Sequence, residues 1–368
     1  MKILFFGDYS NVHASLASEL KKRGHDVTVI SDGGRYMDTE KDILIDRRPG
    51  IQGTFKYLFD LARLFPTIKG FDVVQVINPH FLDLKPDKIK FFFKRLKKNN
   101  RSIFLTLAGD DYHFVNACLN SNMFRFSEFC VGQTPTEFER ISHRGQLWTQ
   151  PVCRDYALYL YDNLDGAMSL LPEYDMASRS SLGDRLAFTN LPIDLSAYNY
   201  NPLVETKKIR FFIGIREGMK IQKGTGMLLD MCRNIERKYP ELCEVECVSN
   251  LPLKEYLGRM SDSHIVLDQY YSYSPGMNAL QAMALGKIAG TGGQPEYYDY
   301  INWQEHPVIP LSPLRSIKEW EDYLLKLMQN PAKMREMSLQ GRKLVERNND
   351  IRLVADRFEK HWNNILNK

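Results

Sequence analysis

The chain opens on a short apolar run, residues 3–6, that stops at Gly7. Apolar residues then recur every fourth position, as on one face of a helix: Val12, Leu16 and Leu20. A cation, Arg23, and a glycine, Gly24, come next, which is typical of a helix end. Residues 27–30 predict a second strand. Strand, helix and strand in direct succession form a βαβ unit, so we expect the two strands to be parallel.

The same alternation continues along the first half of the chain. A helix is predicted over about residues 86–98. Short apolar runs predict further strands at 73–77, 103–107, 129–132, 166–170 and 186–189. This order of elements predicts a doubly wound α/β domain over residues 1–200.

A second α/β run follows a break in the pattern. Residues 195–208 have no apolar period and end in charges, so we place the domain linker there. The second domain, 205–350, is predicted to contain strands at 209–213, 245–248 and 265–267, a helix from about 226 and another over 253–260. The tail, 350–368, carries one apolar helical stripe that must pack on something: Val354, Phe358, Trp362 and Ile365.

Charge and composition exclude several classes of function. The chain has 49 Lys and Arg against 45 Asp and Glu, a net charge of +4, which disfavours a dedicated nucleic-acid binder. No run reaches the roughly 18 apolar residues of a membrane-spanning helix, and the N-terminal apolar run is too short for a signal peptide. The six cysteines form no Cys-x-x-Cys pair, which disfavours zinc and thioredoxin-like sites. We therefore expect a soluble chain, cytoplasmic or peripheral at the inner face of the cytoplasmic membrane.

The carboxyl ends of the strands are where an open α/β sheet binds ligands. Gly7 lies at such an end, but the next glycine is Gly24, so the first loop is not a dinucleotide fingerprint. In the second domain, Arg216 follows a strand, and Lys223 with Gly224 precedes a helix. A lysine beside glycines at a helix N-terminus predicts a phosphate or diphosphate site. The alternative is that these cations are solvated loop residues.

A second helix start points to the same edge of the sheet. The segment from Ser274 to Gly286 predicts a helix with a serine N-cap, Pro275 at the first helical position and a glycine stop. The start of this helix would present three side chains: Met277, Asn278 and Gln281. The alternative is a well-capped core helix without a ligand.

Five segments of the chain read like known motifs. They are 22–29 (KRGHDVTV, similar to RGHEVTV), Arg216 with Lys223-Gly224 (similar to GR…KG), 279–287 (similar to ALEAMALGKP), 292–296 (similar to GGxPE) and 192–195 before the linker. Together they resemble the retaining GT-B glycosyltransferases, the large group 1 or family 4 type that includes many bacterial polysaccharide and lipid glycosyltransferases. The motifs occur in order across nearly the whole chain. The resemblance implies two Rossmann-like domains facing across a cleft, with the C-terminal helix, 351–368, crossing back to the first domain.

The resemblance also implies a reaction: transfer of a sugar from a nucleotide-diphosphate sugar to an acceptor hydroxyl on a glycan, glycolipid or other glycoconjugate. Retention is implied, without metal and without a cofactor, since the nucleotide-sugar is a substrate. Nucleic acid is not an expected partner.

The same resemblance assigns roles to individual positions. Arg216 and Lys223 would neutralise the diphosphate leaving group, and the loop residues Ser249 and Leu251 would meet the base. The helix start would hold the sugar hydroxyls through Gly276, Met277 and Asn278, with Gln281 on the ribose. The acceptor side would be formed by Gly7, His13 and Asp111.

The chain departs from the family pattern at two places. The two glutamates that the family usually carries are Tyr273 and Gln281 here, and the histidine of the HGxD motif is replaced in the segment 108–111. A tyrosine cannot act as a carboxylate at the donor sugar, whereas an amide can still bond a ribose hydroxyl. Two other functions therefore stay open: a nucleotide-sugar-binding protein without turnover, and a nucleotide-sugar epimerase on the same fold.

Three further features have two interpretations each. Asp110 and Asp111 are either a metal site or two structural carboxylates, and we favour the latter because no third ligand is spaced nearby. His13 either faces the acceptor or binds local turns. Residues 85–101 carry eight cations, one acid and three phenylalanines, which suits either contact with an anionic membrane or an ordinary surface helix.

Overall fold

The computed structural model describes residues 1–34, 38–203 and 206–367. The chain forms two compact units. The first unit contains Met1–Asn120, Arg144–Pro192 and the C-terminal segment that begins at Ile351. The second unit contains Ser121–His143 and Ile193–Asp350. Residues 204–205 of the predicted linker lie outside the described residues.

The described residues form fourteen strands. In chain order they are β1 (Lys2–Phe6), β2 (Asp26–Ser31), β3 (Ile43–Leu44), β4 (Val73–Val76), β5 (Ile103–Leu107), β6 (Cys130–Val131), β7 (Thr134–Pro135), β8 (Gly166–Ser169), β9 (Leu186–Phe188), β10 (Ile209–Gly214), β11 (Cys243–Val248), β12 (Ile265–Leu267), β13 (Ile288–Thr291) and β14 (Ile309–Pro310).

Sixteen α-helices lie within the described part of the chain. They are α1 (Val12–Lys22), α2 (Gly50–Leu64), α3 (Pro86–Asn99), α4 (Tyr112–Asn120), α5 (Glu137–Ser142), α6 (Arg144–Trp148), α7 (Pro151–Asn163), α8 (Pro172–Leu182), α9 (Lys220–Lys223), α10 (Thr225–Lys238), α11 (Leu253–Ser261), α12 (Met277–Ala284), α13 (Pro295–Tyr300), α14 (Ile317–Met328), α15 (Pro331–Asn348) and α16 (Ile351–Leu366). None of these helices combines the length and apolar character needed to cross a membrane.

The first unit is built on a parallel sheet in the order β3-β2-β1-β4-β5-β8-β9. The predicted βαβ opening is confirmed, because β1 and β2 pair in parallel from Lys2↔Asp26 to Phe6↔Ile30. The strand order reverses between β1 and β4, so the carboxyl ends of these two strands form the topological switch point. This edge carries Gly7.

The second unit is built on a parallel sheet in the order β11-β10-β12-β13-β14. Its order reverses between β10 and β12, which places a second switch point at Gly214 and Asp268. Both sheets are thus doubly wound, as the alternation of apolar runs predicts.

The strand predicted at 129–132 does not extend the first sheet. Its observed part, β6, pairs antiparallel with β7 through Val131↔Thr134. Gly132 has φ +56°, and a two-residue loop reverses the chain at once, which forces the antiparallel pairing. This hairpin lies in the second unit.

The whole segment Ser121–His143 belongs to the second unit, whereas the sequence placed it within the first domain, 1–200. A contact remote in sequence holds it there: the ring of Tyr273 stacks on Phe126 with centroids 4.6 Å apart. The Arg125 N–H also donates to the Tyr273 hydroxyl at 2.5 Å. No sequence pattern within residues 121–143 predicts these contacts with Tyr273.

The C-terminal helix α16 packs on the first unit, as the predicted fold requires. Val354, Phe358 and Trp362 of its apolar stripe have no exposed surface. The Trp362 indole N–H donates to Gln75 Oε1 at 2.9 Å, and Arg23, just after α1, pairs with carboxylates of α16. Burial of this stripe holds the end of the chain against the first sheet.

Candidate functional site

At the carboxyl edge of the second sheet, a series of polar contacts connects the strand ends with the start of α12. β10 ends at Gly214, where a Cβ would lie 2.2 Å from the Tyr256 hydroxyl, so only glycine fits. The Tyr256 hydroxyl donates to Asn278 Oδ1 at 2.7 Å. Asn278 Nδ2 in turn lies 3.4 Å from Asp268 Oδ1. The ends of β10 and β12 and the first turn of α12 therefore meet at one point.

Lys223 reaches this point from the turn between α9 and α10. Gly224 makes the turn with φ +69°, and a Cβ there would lie 2.8 Å from the Cβ of Tyr270. The Lys223 carbonyl accepts a hydrogen bond from the Tyr270 N–H at 2.9 Å. Lys223 Nζ lies 3.4 Å from Asp268 Oδ1, and its side chain is 36% exposed against 3% for Asp268. The ammonium is thus fixed beside a buried carboxylate and still open to a ligand.

The first turn of α12 adds bare backbone N–H groups to the same edge. The helix begins at Met277 with Gly276 as N-cap, and no side chain caps it. The predicted start at Ser274 and Pro275 is wrong: Ser274 is fully buried in the loop before the helix, where its carbonyl accepts from the Ser272 hydroxyl. The predicted glycine stop is confirmed by Gly286, with φ +80°. Uncapped N–H groups and the positive end of the helix dipole favour an anion here.

Asp268 is a candidate site residue that the sequence pattern did not indicate. Its Oδ2 is buried and has no hydrogen-bond partner. A Cβ on Gly276 would lie 3.3 Å from this oxygen and 3.1 Å from Gln269 Nε2, so the glycine leaves space beside it. A buried acceptor without a donor costs free energy unless a ligand supplies one. The available signal was its position, directly after the apolar strand Ile265–Leu267.

Arg216, Ser249 and Leu251 lie at the same edge of the sheet. Arg216 is exposed two residues beyond β10, at the start of a 3₁₀ turn closed by the Met219 N–H on its carbonyl at 2.8 Å. Ser249 directly follows β11, whose last residue pairs with Gly214, and it is exposed. Leu251 is half-buried against the apolar cluster that contains Phe212. The edge thus carries two cations and an open loop around Asp268.

Gln281 lies on α12 and is only 8% exposed. Its Nε2 donates to the Tyr198 hydroxyl at 3.0 Å, and burial raises the pKa of this tyrosine. One of its two amide N–H groups is thus committed to the protein. Ligand binding by Gln281 would use Oε1 or the second N–H.

Tyr273 occupies the position of the other family glutamate and is buried by the 121–143 segment described above. Burial raises the pKa of its hydroxyl, which stays neutral at pH 7. The hydroxyl accepts from the Arg125 N–H. This side chain anchors a neighbouring segment and supplies no carboxylate.

His13 is enclosed in the first unit with no exposed surface. Its Nδ1 donates to the Gly7 carbonyl at 2.7 Å, and its Nε2 lies 2.8 Å from Thr106 Oγ1. Burial lowers the pKa of His13 to about 3, so the ring is neutral. The structure supports the interpretation that His13 binds local turns, because a fully buried ring cannot contact an acceptor substrate. Gly7 itself has φ +80°, and a Cβ there would lie 2.5 Å from Ile77 Cγ2.

Asp111 is likewise committed to the fold. Its Oδ1 accepts from the Phe114 N–H at 2.8 Å in the first turn of α4, and its Oδ2 accepts from the Tyr161 hydroxyl at 3.0 Å. The adjacent Asp110 pairs with Arg144 at 2.9 Å. The two carboxylates therefore serve different partners. Within the ranges the structure describes, no group of three or more His, Cys, Asp or Glu side chains is arranged to hold a metal.

No protein-family profile and no curated protein sequence matches the chain. Among solved structures, it is similar to sucrose-phosphate synthase from Thermosynechococcus elongatus, with a TM-score of 0.65 and 11% identity over 100% of both chains. It is also similar to HepE from Anabaena in complex with UDP, with a TM-score of 0.58 and 10% identity over 98% of this chain and 99% of that one. A glycosyltransferase from Rickettsia africae aligns with a TM-score of 0.58 and 13% identity over 99% and 98%. At such identities the likeness establishes the fold, and the chain therefore has the GT-B fold with one parallel α/β sheet in each unit.

Proposed function

We propose that this protein transfers a glycosyl group from a nucleoside-diphosphate sugar to an acceptor hydroxyl on a glycan, glycolipid or other glycoconjugate. The observation that carries the proposal is the placement of Lys223 and the uncapped first turn of α12 at the switch point of the second sheet. Cations and bare N–H groups together suit a diphosphate. The GT-B fold and the UDP in the similar HepE structure support the same ligand.

Each part of the donor has a partner in this proposal. Lys223 and Arg216 neutralise the diphosphate, and the loop from Ser249 to Leu251 meets the base. The first turn of α12, Gly276–Asn278, lies at the sugar. Asp268 Oδ2 accepts a sugar hydroxyl, since it is a buried acceptor without a donor and Gly276 leaves room beside it. The Asp268 carboxylate would thus bind the donor sugar as a charged acceptor, which Tyr273, at the position of the family glutamate, cannot do.

In the proposed reaction, the bond between the anomeric carbon and the diphosphate oxygen breaks while a bond to the acceptor oxygen forms. The departing diphosphate takes the acceptor proton, and its growing charge is stabilised by Lys223 and Arg216. Retention of the anomeric configuration and independence from metal belong to the proposal. The first unit would offer the acceptor the backbone around Gly7 rather than His13 or Asp111, whose polar atoms are engaged in the fold.

The test is calorimetric titration with a panel of nucleoside diphosphates, followed by turnover with the best donor. Lys223→Ala and Arg216→Ala should each weaken nucleoside-diphosphate binding by roughly 1.5–3 kcal/mol, the range for a hydrogen bond to a charged group. Lys326→Ala is the matched control, since this lysine is exposed on α14 in the same unit. Unchanged affinity in both site variants would contradict the phosphate site.

Product analysis separates the remaining alternatives. A glycosyltransferase releases nucleoside diphosphate only in proportion to glycosylated acceptor, and this should persist in EDTA. An epimerase would convert the donor without acceptor, and a binding protein would give neither product. Loss of turnover in EDTA with recovery on magnesium would contradict the metal-free mechanism.

A further inference from the structure

Helix α2 in the first unit has two apolar faces. Its inner face is buried through Tyr57 and Leu61. Its outer face carries Ile51, Phe55 and Phe59, spaced four residues apart, which are 77%, 69% and 60% exposed. Residues at this spacing form one continuous stripe. A stripe of large exposed apolar side chains is typical of an interaction surface.

Helix α3 packs beside the end of α2, through the buried Phe65, and adds one exposed apolar ring, Phe91. Phe65, the residue that follows α2, contacts Phe92 with ring centroids 4.4 Å apart. Phe92 contacts Phe91 at 5.4 Å, and Phe91 is 60% exposed. The outer face of α2 together with Phe91 is called the α2–α3 surface below.

The α2–α3 surface lies in the most basic part of the chain. Residues 47–101 contain thirteen Lys and Arg against four Asp and Glu, a formal charge of +9. The whole chain carries +4, so the rest of it sums to −5. The positive charge is therefore concentrated in the segment that also carries the exposed apolar side chains.

The cations of α3 divide between two sides of the helix. Lys90 and Lys94 lie over the ring of Tyr159, at 3.9 and 5.5 Å from its centroid. Three exposed cations share the side of Phe91 by helical spacing: Lys88, Arg95 and Lys98. These are placed to meet negative charge at the level of the exposed ring.

We propose that the α2–α3 surface binds an anionic lipid bilayer, with Ile51, Phe55, Phe59 and Phe91 entering the interface and the surrounding cations meeting the headgroups. Apolar side chains and cations on the same surface are the combination that interfacial binding requires. The charge selects this occupant over a second copy of the chain, because two +9 segments repel each other. The inference goes beyond the proposed function and does not depend on it.

The structure also changes the expectation for residues 85–101. Phe93 is fully buried and Phe92 is half-buried, so α3 offers only Phe91 among its three phenylalanines. α2, which the sequence pattern did not single out, supplies the apolar side chains.

The test is co-sedimentation of the full chain with vesicles of phosphatidylcholine alone and with 30% phosphatidylglycerol at low salt. The protein should bind the anionic vesicles, and binding should fall as salt rises. Phe55→Ser with Phe59→Ser should weaken this binding at least tenfold, and so should charge reversal of Lys88, Arg95 and Lys98 to Glu. Ile141→Ser with Leu339→Ser is the matched control, since these side chains are exposed but lie in the second unit; it should bind as wild type does.

Three results would overturn the proposal. They are absence of wild-type binding to anionic vesicles, equal binding by the Phe55/Phe59 variant, and a concentration-dependent dimer in solution that this variant abolishes, which would assign the surface to a second copy. Thermal unfolding and nucleotide titration of each variant report folding and the donor site separately. Failure of vesicle binding is thereby distinguished from failure of the proposed reaction.

Discussion

Replacing Asp268 by Asn tests the part of the site that the sequence did not reveal. The substitution keeps the size of the side chain and removes its charge. In wild type, Oδ1 faces Lys223 Nζ at 3.4 Å while Oδ2 is buried without a partner. If Oδ2 accepts a hydroxyl of the donor sugar, the loss should appear only with ligands that carry the sugar.

The expected magnitude follows from the kind of bond removed. A hydrogen bond to a charged group is worth about 1.5–3 kcal/mol, which is roughly 10- to 150-fold in affinity. Asp268→Asn should therefore weaken binding of the nucleotide-sugar by that factor. The nucleoside diphosphate alone should bind as well as to wild type or more tightly, because the carboxylate no longer competes for the Lys223 ammonium.

The assay is calorimetric titration of both proteins with a nucleoside diphosphate and with the matching nucleotide-sugar. Thermal unfolding without ligand controls for the lost ion pair, which is partly solvent-screened because Lys223 is 36% exposed. A purely positioning role would lower affinity for both ligands by the same factor. That result, or unchanged affinity for both, would refute the assignment of Asp268 to the sugar.

Three further predictions follow from groups described above. Gln281→Ala should lower nucleotide affinity by roughly 0.5–1.5 kcal/mol in calorimetry, the net worth of a neutral hydrogen bond, if Oε1 binds the ribose; Gln281→Glu should bind at least as well, and wild-type affinity in the Ala variant would make the residue structural. Burial lowers the pKa of His13 to about 3 from 6.5, so the unfolded chain binds more protons between these values and the free energy of unfolding should fall as pH drops below 6.5. In His13→Gln, the free energy of unfolding measured in urea should change with pH less steeply, by up to about 1.4 kcal/mol per pH unit. An unchanged pH dependence would contradict the neutral ring. Burial also lowers the pKa of Lys287 to about 8 from 10.5, so stability should rise with pH between 8 and 10.5; Lys287→Met should flatten this rise, and parallel curves for the two proteins would show that the lysine is not the cause.

The elements themselves are local properties, and the sequence predicted many of them. The helix over Val12–Lys22 follows from apolar residues every fourth position and from Gly24 beyond its end, and it is observed. The tail helix follows from a stripe whose three leading residues are fully buried in α16. Periods of two and 3.6 residues are set by backbone geometry within one segment, and they do not depend on what that segment packs against.

The turn that carries Lys223 was located for the same reason. Lys223 stands next to Gly224, whose positive φ is required at the turn into α10, so glycine and lysine mark this turn together in the sequence. The helix start at Ser274 was misplaced because the backbone at Gly276 is extended, with φ −80° and ψ −179°, so the first helical turn begins only after it. A cap preference is a local signal, and tertiary packing overrode it.

Tertiary structure alone decided which polar side chains are available to a ligand. His13 and Asp111 lie at the predicted edge, but hydrogen bonds from Thr106 and Tyr161, distant in sequence, engage their polar atoms. Asp268, which has no motif, is left with a bare buried oxygen. The reason is physical: a residue type fixes which bonds a side chain can make, but only the packing of remote segments fixes which of those bonds are already made.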